Sequence, residues 1–172
     1  MKIDHLILLC LIIFQACAKP SSTLTKSDLS FLRQMFPQID TKDSLHIQGV
    51  KSIPSEVFQR SELKYLSVRG QDCDIAGVEC FALTEIPPEI KKLTQLEHLK
   101  LELNYIRKLP VELLELKKLR VLDLTENPGF KDVERVAQMT WLQSFYCFGC
   151  HLPEEDVERL KKTLPNCKIG VE

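Results

Sequence analysis

The string Cys147-Phe148-Gly149-Cys150-His151 holds the residues whose types and spacing point most directly to chemistry. CxxCH is the attachment signature of c-type haem, so residues 147–151 make a covalent haem carrier for electron transfer one reading of the chain. The same two cysteines could run thiol–disulfide exchange, which requires an exposed thiolate in an electropositive setting. With His151 and Cys167 they also supply the ligand types of a zinc site, although their spacing is unlike the usual paired clusters.

Cys73 and Cys80 form a second pair, closing a short loop with Gly77 inside it. In an exported protein such a pair is a disulfide candidate. Asp72, Asp74, Gly77 and Glu79 form part of a calcium-loop pattern, but its third carboxylate and distant glutamate are missing. His46 and His98, with Arg69, Glu102 and Asp123, offer acid and base groups. No serine nucleophile motif, phosphate-cradling glycine loop or close carboxylate pair accompanies them. The expectation is therefore no enzyme, no cofactor and no metal.

The elements that must position these residues are set by a repeat. LTQLEHLKLELNYIRKLPVELLE is followed by LKKLRVLDLTENPGFKDVERVAQ, with matching positions 23 residues apart. Leu93 recurs as Leu116 and Met139, Leu96 as Leu119 and Leu142, Leu99 as Leu122 and Phe145, and Asn104 as Asn127. A fixed period in the twenties is the signature of a solenoid. The spacing LxxLxxLxLxxNxIxxLP resembles the leucine-rich repeat family.

That resemblance implies an α/β leucine-rich repeat solenoid, with a curved parallel sheet on the concave face and short helices or turns on the convex face. About five repeats are expected over residues 27–172, with a capping helix at 27–37 and a helix–strand cap at 153–172. Leu45, Ile47, Val50 and Ile53 match Leu101, Leu103, Ile106 and Leu109 in spacing, which makes a first repeat. Leu164, Cys167 and Ile169 match Leu96, Leu99 and Leu101, which makes a last strand. About ten residues are inserted within 71–82, and such insertions on solenoids are often functional. The family assigns Asn104 and Asn127 a structural role, bonding backbone groups left unpaired by the turn. Cys150 falls at the same position, where the family also accepts cysteine, and Cys147 falls where Leu101 and Leu124 stand. By this phase both thiols pack as small hydrophobes in the core, and the haem reading becomes the alternative.

Alternate side chains of a strand point to opposite faces. Burying Leu99 and Leu101 turns His98, Lys100 and Glu102 outward, together with Ser44, His46 and Gln48. Tyr65, Ser67 and Arg69 follow on the next strand, then Val121, Asp123 and Thr125, then Ser144, Tyr146 and Phe148. A mixed polar strip with aromatics suits non-catalytic binding, since extended concave surfaces are what solenoids use for partners. Tyr65, Tyr146, Phe148 and Trp141 are the aromatic candidates for contact. The expected partner is a protein, with a glycan or an envelope component as the other classes.

Residues 1–16 read as an export signal, with Lys2 ahead of an apolar run from Leu6 to Phe14 too short to span a bilayer. Phe14-Gln15-Ala16-Cys17 is similar to a bacterial lipobox, with Phe14 where leucine is usual. That similarity implies a lipidated Cys17 holding the protein to the cell envelope, and residues 17–26 read as anchor and polar tether. Plain cleavage after Ala16 or Ala18 would leave it secreted. Across 172 residues, 23 Lys and Arg stand against 24 Asp and Glu. A formal charge of -1 leaves no basic excess to neutralise a phosphate backbone, so nucleic acid is excluded as a partner.

Overall fold

The computed structural model describes residues 40–71 and 81–171. The expected export signal, Cys17, the tether, the capping helix at 27–37 and the Cys73–Cys80 pair lie outside the described residues.

Prolines set where the repeating unit turns. Pro54, Pro87 and Pro110 each follow a buried residue, Ile53, Ile86 and Leu109, and each lacks the N–H that a first helical turn would leave unpaired. Their carbonyls accept from Val57 N at 3.1 Å, Ile90 N at 3.1 Å and Leu113 N at 3.2 Å, closing 3-10 turns over Ser55–Gln59, Pro88–Lys92 and Val111–Glu115. The later units use α-helices instead, α1 over Val133–Ala137 and α2 over Glu154–Thr163. Helix α2 opens with Glu154, Glu155 and Asp156 and closes with Lys161 and Lys162, the charge order that its dipole favours.

Among the described residues seven strands form one sheet in chain order: β1 (Asp40–Thr41), β2 (Ser44–Gln48), β3 (Tyr65–Arg69), β4 (His98–Lys100), β5 (Val121–Asp123), β6 (Ser144–Tyr146) and β7 (Lys168–Gly170). Strands β2 to β7 run parallel, each beside its predecessor, while β1 folds back antiparallel on β2. The sequence does not announce β1, which is two residues long.

Period and alternation together build the core in columns. Leu66, Leu99, Leu122 and Phe145 stack from strand to strand with no exposed surface, and Leu63, Leu96, Leu119 and Leu142 form the column before them. Burying one such leucine is worth about 1.5–3 kcal/mol, so each column stabilises the stack only when its neighbours are present.

At both ends the pairing differs from the matches in spacing. Leu45 pairs with Leu66, which pairs with Leu99, so Leu45 is the counterpart of Leu99 and not of Leu101. Ile169 pairs with Phe145 and is likewise the counterpart of Leu99, the position expected for Cys167. Each shift is two residues. A two-residue slip keeps every side chain on its face, so hydrophobic alternation is blind to it.

Candidate binding face

Strands β2, β4, β5 and β6 each end by turning through one left-handed residue. Gly49, Leu103, Glu126 and Gly149 have φ of 62°, 55°, 56° and 68°, and each immediately precedes the residue at the asparagine position. Gly70 occupies the equivalent place in the second unit without a positive φ. Its backbone runs so close to the next turn that a Cβ would lie 1.8 Å from the Leu103 carbonyl oxygen.

The residue after the turn ties each unit to the one before. Asn104 Nδ2 donates to Val68 O and Glu102 O, both at 2.9 Å, and its Oδ1 accepts from Leu83 N at 2.8 Å. Asn127 Nδ2 donates to Leu101 O and Leu124 O, both at 2.8 Å, and its Oδ1 accepts from Ile106 N at 3.0 Å. Val68 and Leu101 hold the same place in neighbouring strands, so the bond repeats with the sequence. Cys150 holds the same place in the next unit, with its Sγ 3.2 Å from Leu124 O. The chain folds as a leucine-rich repeat solenoid.

Comparison with protein-family models and with curated protein sequences gives no match. Among solved structures, a leucine-rich repeat protein of Leptospira interrogans is similar at 19% identity and a TM-score of 0.48, over 84% of this chain and 39% of that one. The leucine-rich repeat ectodomain of a receptor kinase from Arabidopsis thaliana has 20% identity and a TM-score of 0.47, over 75% and 68%. An internalin from Listeria monocytogenes has 16% identity and a TM-score of 0.43, over 78% and 46%. The chain thus spans less than half the length of the leptospiral and listerial proteins.

On the sheet face turned away from the leucine-rich repeat core, the register arranges the outward side chains in rows. One row runs Ser44, Tyr65, His98, Val121, Ser144 and Lys168, and the next runs His46, Ser67, Lys100, Asp123, Tyr146 and Gly170. Gln48 and Arg69 are paired beyond them, and Glu102, Thr125 and Phe148 lie in the segments that follow their strands.

Three features organise this face. His46, Tyr65 and His98 form a line of tilted rings across three strands, with centroids 4.9 and 5.9 Å apart. Arg69 Nη1 donates to Glu102 Oε2 at 2.7 Å, and Lys100 Nζ lies 4.0 Å from the other oxygen, so one carboxylate is shared by two bases. Tyr146 and Phe148 stack 6.2 Å apart at 15° to one another, with Lys168 Nζ 5.8 Å from the Tyr146 ring. Gly170 makes room for that pair, because a Cβ there would stand 2.7 Å from Tyr146 Cδ1 and 2.9 Å from Phe148 Cζ.

Asp123 departs from the expectation of an outward group available to a partner. It is 7% exposed, and its Oδ1 accepts from Thr125 N at 3.0 Å, which ties the carboxylate to its own turn. Trp141 also departs. It is half-buried, its indole N–H donates to Leu116 O at 3.0 Å, and Lys117 Nζ stands 3.6 Å from its ring centroid.

Cys147 and Cys150 are 1% and 2% exposed, at the core positions that the repeat assigns them. They are not free thiols, however, as they are joined to each other in a disulfide with their Cα atoms 5.5 Å apart. The left-handed Gly149 brings the two sulfurs together, a pairing that the spacing of leucines gives no sign of. The bond occupies both sulfurs that haem attachment or zinc would use. Cys167 is a free cysteine, half-buried, and burial pushes its thiol upward against a smaller opposing effect from a backbone hydrogen bond at Phe145. Among the described residues no group of three or more His, Cys, Asp or Glu is placed to hold a metal. No described helix is long and apolar enough to cross a membrane.

Proposed function

We propose that this chain is a non-catalytic recognition module that takes a protein partner on the outward face of its sheet. The lining comprises His46, Tyr65, Ser67, Arg69, His98, Lys100, Glu102, Thr125, Tyr146 and Phe148, with Asp123 fixing the turn beneath. One observation carries this reading. The face presents rings and charges in ordered rows that the core does not need for its packing, and a rigid array of aromatics and arginine is the composition of interface hot spots. An open sheet does not exclude water from a reacting group, which argues for binding over catalysis.

Export through residues 1–16 and lipidation of Cys17 would display the module at the bacterial cell envelope, with residues 17–26 giving it reach. The support is the short apolar run and the lipobox-like Phe14-Gln15-Ala16-Cys17. The Cys73–Cys80 disulfide remains part of the proposal, on the spacing of the pair within the insertion.

Site-specific photo-cross-linking on expressing cells tests the binding face. A cross-linker at Ser67 should give a discrete adduct that one at Glu115, on a 3-10 turn, does not give. The folded Arg69→Ala, Tyr146→Ala double variant should lose it. Equal adducts from both positions would remove the sheet face from consideration, while the intact mass of the membrane-purified protein reads acylation at Cys17 independently.

A further inference from the structure

The charges of the sheet face are unevenly exposed. Both carboxylates on the face are already engaged. Glu102 is held by Arg69 and Lys100, and Asp123 is buried on the Thr125 amide. The bases are the more open groups, since the Arg69 side chain is 46% exposed and that of Lys100 34%, against 27% for Glu102. Lys168 stands exposed at the end of the same face, and His46 is exposed at the other. An approaching partner therefore meets basic groups, although the whole chain has a formal charge of -1. Complementary charge across an interface steers encounter and fixes specificity.

The rings narrow the class further. His46, Tyr65 and His98 lie in line, with centroids 4.9 and 5.9 Å apart. The middle ring, Tyr65, has a neighbour on each side, and the imidazole N–H and phenol O–H groups of the line are donors suited to carboxylate oxygens. Tyr146 and Phe148 supply a separate apolar pair several strands away.

We infer that the face recognises an acidic peptide segment of its partner, whose carboxylates are taken by His46, His98 and Lys100 and whose apolar side chain lies on the Tyr146–Phe148 pair. This rests on the proposal that the sheet face is the binding surface.

The test is fluorescence anisotropy with three labelled peptides of equal length, in which tyrosine is interspersed with glutamate, with serine or with lysine. The glutamate peptide should bind about tenfold or more tighter than the other two, and its affinity should fall as salt rises to about 0.3 M, where charge interactions across an exposed surface are screened. His46→Glu and Lys100→Gln should each weaken it several-fold, with Lys131→Glu on a loop as the neutral control. Two variants guard against misfolding, and each is used only if its melting temperature matches the parent. Equal binding of the serine peptide, lost in the same variants, would overturn the acidic preference and leave the sheet face as a binding surface. No binding of the glutamate peptide overturns the inference outright. Binding of polygalacturonate in its place would assign the face to an acidic glycan, and the Ser67 cross-link separately decides whether the face binds at all.

Discussion

Asn127 Nδ2 donates at 2.8 Å to the carbonyl of Leu101, a residue 26 positions earlier and one strand away, while its Oδ1 accepts from Ile106 N. With a further bond from Nδ2 to Leu124 O at 2.8 Å, one side chain satisfies backbone groups of two successive repeats in a fully buried place. Leaving a buried group unpaired costs about 1–3 kcal/mol. Asn127→Ala should lower stability by about 3 kcal/mol, or roughly 10 °C in melting temperature for a domain of this size, by circular dichroism. An unchanged melting curve would mean that water replaces the side chain.

Gly70→Ala should be more damaging than an ordinary glycine substitution in a strand. The added Cβ meets the Leu103 carbonyl at 1.8 Å, which is backbone and cannot swing aside as a side chain would. Chemical denaturation should show a loss of more than about 3 kcal/mol, in the range of a seriously overpacked site. A loss below about 1 kcal/mol would show that the second repeat shifts to admit the methyl group.

Gly170→Ala should act on the face and not mainly on the fold. Its Cβ meets ring atoms of Tyr146 and Phe148, which can rotate. The aromatic near-ultraviolet dichroism should change while stability falls by only about 1–2 kcal/mol. If the ring pair contributes to binding, capture through the sheet face weakens in parallel.

The Cys147–Cys150 bond closes a loop with a sequence separation of 3, so its effect on the unfolded chain is small. Reduction should lower stability by about 1–2 kcal/mol, at the low end for disulfides, and alkylation in denaturant, mapped by peptide mass, should label Cys147 and Cys150 only after reduction. Alkylation of both cysteines without reductant would show that the pair is a dithiol, with Cys150 bonded to Leu124 O as the asparagines are to their strands.

Cys167 should react slowly with iodoacetamide in the native state, because burial raises its thiol and the thiolate is the nucleophile. The labelling rate should keep climbing at pH values where an unfolded control has levelled off. The same shift gives a stability term that is present below the unfolded thiol value and lost as pH rises through the higher folded one. Cys167→Ser should remove that alkaline loss. Labelling as fast as in the unfolded chain would refute the shift.

Much of the fold was legible in residues. The 23-residue recurrence from Leu93 to Phe145 specifies a solenoid, and alternation around Leu99 and Leu101 specifies which side chains turn outward. Both follow from periodicities that a single chain carries, namely period two in a strand and one unit per repeat. Asn104, Asn127 and Cys150 are marked by the same recurrence.

Tertiary contact decided the rest. The register at Leu45 and Ile169 differs by two residues from the match in spacing, a slip that leaves the buried and exposed faces unchanged and so leaves no trace in hydrophobic pattern. The clasp of Arg69 on Glu102, the burial of Asp123 and the spacing of His46, Tyr65 and His98 depend on which strands lie side by side. The Cys147–Cys150 bond depends on a left-handed turn at Gly149. The repeat by itself determined which residues share a face. Distances of a few ångströms between side chains on different strands determined what that face can hold, and those distances exist only once the strands have paired.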